Sequence, residues 1–258
     1  MAQATATENQ RQEETRHLDM ATQPAKRLRM MLAAGGEVQE VERVLGRTGD
    51  SVVSEVLRGH ETFYEWDHYP KGDVFDGKSR SQYFYHAHPG GFRDSEHGHF
   101  HTFVRAKGLP RGMKPMRRKS RDTWPMGDDA LAHVVAISMS SKGQPLRLFT
   151  TNRWVTGETW YRGDDVAKVI GLFGIDHARP SWPTNRWVGA MVRLFWPQII
   201  LLLKARDQVI ESWTPQNGGR DTLEDRNLEV VSQAEVDIEG QIAAVRAALD
   251  AREAKAAD

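Results

Sequence analysis

Between Tyr83 and Thr102 the chain reads YFYHAHPGGFRDSEHGHFHT. Five of its ten histidines, His86, His88, His97, His99 and His101, fall within sixteen residues. Imidazoles crowded on one surface repel one another when protonated and are costly to desolvate when charged. A bound transition metal removes both problems, because the neutral ring ligates through nitrogen. The expected chemistry is therefore that of a nitrogen-rich site for iron, copper or zinc; calcium and magnesium favour oxygen. The chain has no cysteine, which excludes thiolate ligands, a cysteine nucleophile and disulfides.

Spacing suggests how such a site would be held. Side chains on a strand alternate between faces, so His86 and His88 share one face, as do His97, His99 and His101. The intervening PGGFRDSE has hairpin-loop character. If His88 pairs with His97, His86 lies opposite His99, and four imidazoles form a patch about 5 Å across and roughly 7 Å along the strands. His97 and His101 are then about 13 Å apart on a straight strand. Three solutions are open: one of the three histidines supports the site or faces substrate, two metals bind, or a bulge at Gly98 bends the strand. Glu96 is the catalytic candidate, readable as a fifth ligand, an orienting carboxylate or a general base. His133, in LAHVVAISM, can add a ligand from the next strand or sit as a core histidine.

The elements that must position these residues follow from hydrophobic period and punctuation. Four strands are expected: Gln82–His88, His97–Arg105, Leu131–Met139 and Leu146–Trp154. A helix AKRLRMMLAA should stop at Gly35-Gly36, with a second carrying Val38, Val41 and Leu45. Asp50 is expected to cap a short helix with Val52, Val53, Val56 and Leu57. Asp164 is a further cap candidate, before a stripe of Val166, Val169, Ile170 and Phe173. A long helix from about Thr184 to Trp213 should bend at Pro197. The tail from Leu223 to about Ala254 reads as a charged helix whose apolar stripe meets either the body or a second chain, giving a homo-oligomer. The order helices, strands, helices implies an α+β fold: an antiparallel sheet of four or more strands that carries the histidines, flanked by N- and C-terminal helices. The expected division is a disordered tail over 1–23, one metal-binding domain over 24–215, and a loop with the charged helix over 216–258.

HAHPGG, EHGHFH and LFTTNRWVTGE together resemble an uncharacterised bacterial family of unknown function, over about residues 60–215. That resemblance implies one structural unit and no activity. YHAHP is similar to the His-x-His motif of JAMM-type isopeptidases, but the Ser and Asp that must follow are not in place. Cupins share His-x-His followed by Glu, at a spacing this chain does not keep.

Outside the cluster, the segment 107–121 carries Lys107, Arg111, Lys114, Arg117, Arg118, Lys119 and Arg121 with no acid. It reads as a lid or arm for an anionic substrate, or as a solvated insertion. Arg153 and Arg186, in the two copies of TNRWV, are candidates to clamp an anionic group. Asp67, His68 and Asp73 lie in a loop that can reach the site from a distance. Lys+Arg and Asp+Glu both number 35, so bulk attraction to nucleic acid is not expected. The polar N-terminus is not a signal peptide, and the most apolar run, 192–203, is shorter than the about 20 residues a bilayer span needs. The resulting reading is a cytoplasmic metalloenzyme acting on a small-molecule or anionic substrate, with iron or copper oxidoreductase chemistry favoured over zinc hydrolysis. A non-catalytic metal-binding protein and an interaction protein using the basic segment are the alternatives.

Overall fold

The computed structural model describes residues 18–60, 64, 67–87, 95–116, 124–215 and 221–257. Six strands form one sheet: β1 (Tyr69–Phe75), β2 (Ser81–Ala87), β3 (Glu96–Arg105), β4 (Leu131–Ser140), β5 (Pro145–Thr151) and β6 (Val230–Glu235). They lie in chain order, and every neighbouring pair is antiparallel. Helices come before and after this sheet, so the fold is α+β with N- and C-terminal helices.

Alternation gives the sheet two different faces. Tyr83 and Tyr85 on β2, Phe100 and Val104 on β3, Ile137 on β4 and Leu148 on β5 are buried in the main apolar core. Two helices cover them, α5 (Trp182–Leu194) and α6 (Trp196–Ser212), which supply Trp187, Val188, Met191 and Leu203 to that core. Phe100 lies 6.0 Å from Trp187 between ring centroids. The expected long helix is in fact this pair, broken at Phe195 with a bend of 71°. Pro197 stands in the first turn of α6, where it needs no intrahelical N–H partner. No single described helix is long and apolar enough to cross a membrane.

At the N-terminal end, α1 runs unbroken over Ala25–Gly46, and the expected stop at Gly35-Gly36 does not occur. A Cβ on Gly35 would meet Ile242 at 2.5 Å. The glycine is there for close packing against α7 (Ile238–Ala257), which outweighs its cost of about 1 kcal/mol in helix propensity. The next helix, α2 (Val52–Leu57), is capped by Ser51 rather than Asp50, in a reciprocal capping box with Ser54. Met20, in a 3-10 turn at Met20–Thr22, is buried with Leu28, Met31 and Val245; residues 1–17 lie outside the described residues.

The tail differs most from expectation. It is not one helix from Leu223, because Val230 and Val231 begin a strand that completes the sheet beside β5. The Thr150 and Ser232 hydroxyls hydrogen-bond across that pair at 2.7 Å. Gly240 then falls in the first turn of α7 rather than mid-helix. The apolar stripe Ile242, Val245 and Leu249 is buried within the chain, with Ile242 against α1, so it is not left for a second copy. Asp164 is not a cap either: α4 (Gly163–Val166) has Arg162 at its N-cap, although Val166, Val169, Ile170 and Phe173 are buried as a stripe.

One buried bond ties sheet to helices: the Tyr83 hydroxyl donates to Asn185 Oδ1 on α5 at 2.6 Å. Tyr83→Phe leaves that carbonyl unpaired and should cost about 1–3 kcal/mol, measured by urea unfolding, with the histidine face unaltered.

Candidate metal centre on the histidine face

The other face of the sheet carries the cluster. His86 on β2 pairs with His99 on β3, as expected if His88 were set opposite His97. His101 follows two residues along β3 on the same face. One nitrogen from each of His86, His99 and His101 lies within 4.8 Å of the others. Ring centroids are 4.4 Å apart for His86–His99, 4.6 Å for His99–His101 and 5.6 Å for His86–His101. His99 and His101 are 2% and 1% exposed; His86 is half-buried. These rings are packed by Phe84, Phe103 and Phe149, the last edge-on to His99 at 5.1 Å.

Two irregularities in the β3–β4 ladder decide which side chains join the trio. Glu96 pairs with Ser140 and Gly98 with Met139, so His97 is an extra residue, a bulge. The bulge reverses the faces of the two residues before Gly98. His97 turns to the helix side, where its Nδ1 meets the Tyr85 hydroxyl at 2.7 Å. Glu96 turns to the histidine side, against the expectation from strict alternation. Its carboxylate takes His99 Nδ1 on Oε1 at 2.8 Å, and on Oε2 the Ser138 hydroxyl at 2.6 Å and Arg147 Nη2 at 3.0 Å. Glu96 is thus an orienting carboxylate behind His99. The patch expected from His86, His88, His97 and His99 is corrected accordingly: His101 is in it and His97 is out. His88 lies outside the described residues.

The second irregularity lies between Thr102 and Phe103. Thr102 pairs with Val135 but Phe103 with His133, leaving Val134 as the extra residue. His133 thereby reaches the histidine face, and its Nε2 meets His101 Nδ1 at 3.1 Å. It backs His101 from the core and stands outside the trio. Burial, followed by the neighbouring histidines, holds the His101 pKa well below its ordinary value. Burial, then the Arg206 charge, pushes His133 down to about 3. Burial also lowers His97. Both His101 and His133 are therefore neutral at neutral pH, the form a metal requires.

Among the described residues, one further imidazole stands at the rim. His68 stacks on Phe84 with centroids 3.6 Å apart and lies parallel to His86 at 6.4 Å. Its Nδ1 meets Asp73 at 3.0 Å. Asp73 is held by Gln82 (2.6 Å), and Gln82 by Arg105 Nε (2.6 Å). This is a second carboxylate-oriented imidazole, half exposed, at the mouth of the trio.

The arginine candidates are engaged elsewhere. Arg153, at the start of α3 (Arg153–Thr156), is buried, pairs with Glu224 and donates to the Glu158 carbonyl. Arg186 on α5 pairs with Glu37 and lies over Trp182. The two TNRWV copies therefore serve different acids on different elements. Of the basic segment, Lys107 pairs with Asp128, and Arg117, Arg118, Lys119 and Arg121 lie outside the described residues. Sequence reasoning missed Arg147, Ser138 and Glu158. Each is a lone polar residue whose role depends on strand register, and none carries a local signal.

Glu158 is wholly buried. Its Oε2 accepts the backbone N–H of His133 at 2.8 Å, and burial pushes its pKa from 4.5 up to about 7.

Fold and site together define an α+β protein with a six-stranded antiparallel meander and a buried histidine trio able to hold a metal ion. The chain belongs to the family described as a domain of unknown function, DUF6969, whose model matches residues 32–236. No curated protein and no solved structure matches it.

Two outcomes are expected. A Cβ at Gly98 would meet the His86 carbonyl oxygen at 2.4 Å and the Tyr85 hydroxyl at 2.6 Å, so Gly98→Ala must separate β2 from β3. It should cost about 1–3 kcal/mol in thermal unfolding and displace the His86 and His99 resonances. A raised carboxyl pKa makes the folded state the better proton binder. Its stabilising contribution is complete below pH 4.5 and is lost as pH rises through 7. Glu158→Gln should match wild-type stability at pH 4 and exceed it above pH 7, by on the order of 3 kcal/mol, in urea titrations of metal-free protein.

Proposed function

We propose that the protein is a metal-dependent enzyme whose ion is held by His86, His99 and His101. The observation that carries this reading is the convergence of three imidazole nitrogens on a buried sheet face. The hydrogen bonds behind them support it. Glu96 engages His99 at Nδ1 and His133 engages His101 at Nδ1, which orients Nε2 of each ring toward an ion. Such backing partners fix tautomer and ring direction at metal-ligating histidines.

The donor set suits iron, copper or zinc. A bound ion with a position left for water or substrate supplies Lewis acidity and, for iron or copper, electron transfer. Iron or copper redox chemistry is the favoured form. The carboxylate beside the trio is engaged in orienting His99, whereas zinc hydrolysis calls for a carboxylate or equivalent base facing the substrate. The chain's own residues divide the remaining work. Glu96 and Arg147 position His99, the phenylalanines exclude water from the rings, and His68 is the group placed to hydrogen-bond a molecule entering past His86. Arg153 and Arg186, already paired with acids, are not assigned to substrate.

Elemental analysis of untagged protein tests this beside the His99→Ala/His101→Ala variant. The expected result is iron or copper near one equivalent per chain, lost in the variant. Zinc at the same level would replace the redox assignment by hydrolytic or structural zinc. Absence of metal from wild-type protein, even after reconstitution at neutral pH, would overturn the proposal.

A further inference from the structure

His133 reaches the histidine face only because β4 carries an extra residue. Regular pairing from Thr102–Val135 would place His133 opposite Val104, whose side chain is buried in the core on the helix side. With Val134 as the extra residue, His133 instead stands opposite Phe103, at 5.1 Å between rings, and 5.0 Å from His101. A bulge disturbs the ladder and leaves backbone groups that need another partner. On the β3 side Thr102 Oγ1 takes that part, donating to the Val135 carbonyl at 2.6 Å and accepting the Val135 N–H at 3.2 Å. On the opposite edge of β4, where Thr159 bonds the Leu131 carbonyl, Glu158 Oε2 accepts the His133 N–H at 2.8 Å.

The segment that presents Glu158 is itself fastened to β4. Thr159 N–H donates to the Leu131 carbonyl at 3.0 Å. Thr156 Oγ1 reaches Glu158 Oε1 at 3.3 Å, and the Glu158 carbonyl accepts Arg153 Nη1 at 3.1 Å. Arg206, 1% exposed, lies over Trp160 and donates to the Tyr161 carbonyl at 2.7 Å, which anchors the same segment to α6. Glu158 is wholly buried, and the amide it accepts belongs to the histidine whose ring meets His101, a proposed ligand, at 3.1 Å.

We infer that Glu158 is a positioning residue of the metal centre: by accepting the His133 amide it fixes the bulge that sets His133 against His101. The functional meaning of this inference rests on the metal-site reading, but its structural content does not.

The test uses full-length protein, labelled with 15N-histidine, in three variants. Glu158→Gln keeps an oxygen acceptor of the same reach; Glu158→Leu removes it; Glu158→Asp keeps the charge but is one methylene shorter. Long-range 1H–15N spectra of the metal-free proteins report ring tautomers and the His101–His133 hydrogen bond. Wild type and Glu158→Gln should share one His101 pattern; Glu158→Leu and Glu158→Asp should lose it. Cobalt(II) titrations, followed by visible absorption, should show affinity about 10–100-fold weaker for the latter two and rescue in Glu158→Gln. If Glu158→Leu does not fold, Glu158→Asp against Glu158→Gln decides. An unchanged His101 pattern and cobalt affinity in Glu158→Asp overturns the inference. If wild type takes up no cobalt, the metal reading fails, while the imidazole spectra still judge Glu158.

Discussion

The histidine face depends on where two extra residues fall in the β3–β4 ladder. In a strict two-residue repeat, Glu96 and His133 would both point to the helix side and His97 would join the cluster. The bulge at His97 exchanges Glu96 for His97, and the one at Val134 brings His133 round. A one-residue shift inverts every side chain beyond it, so two such shifts rebuild the surroundings of His99 and His101 while the central pairing stays regular. Gly98 makes the first bulge possible, since the backbone of β2 and the Tyr85 ring leave no room for a Cβ.

Electrostatics then constrain what this face can be. Neutral imidazoles are tolerable in a dry environment, whereas several charged ones are not. Burial and mutual repulsion both act on His101 in the same direction. The charged groups near it are hydrogen-bonded: Glu96 with His99, Ser138 and Arg147, Arg206 with Asp207, and Glu158 with the His133 amide. His101 and His133 are thus kept neutral, with compensated charge beside them, which suits an ion bound by neutral nitrogen ligands.

Much of this was legible in the residues themselves. Alternation in SQYFYHA separates the tyrosines from the histidines. The PGGFRDSE between the two His-rich strands has hairpin-loop character, and pairing His88 with His97 would set His86 opposite His99, the register observed. The four central strands are rich in β-branched and aromatic residues and stand out for that reason. The outer strands did not. YPKGDVF carries Pro, Lys and Gly, unfavourable strand residues accommodated at a sheet edge, and VVSQAE is short and lies within a charged, helix-prone tail. Packing overrode propensity at Gly35, where absence of a side chain lets two helices meet.

The site residues divide along the same line. Histidines declare themselves by type and spacing. Of the groups beside them, Glu96 adjoins the cluster and is legible there, whereas Ser138, Arg147 and Glu158 are ordinary polar residues placed by long-range pairing, so no local window of sequence identifies them. Arg147 is brought to Glu96 by the pairing of Ser138 with Arg147 on β5, and Glu158 is brought to His133 by a segment lying alongside β4. The family match spans residues 32–236 and therefore takes in all six strands, including β6, which holds the far edge of β5. A segment limited to the histidine hairpin would contain the trio and Glu96, but Glu96 would lose Ser138 and Arg147, and His101 would lose His133. The unit able to present a metal centre is accordingly the whole sheet rather than the motif that first draws attention.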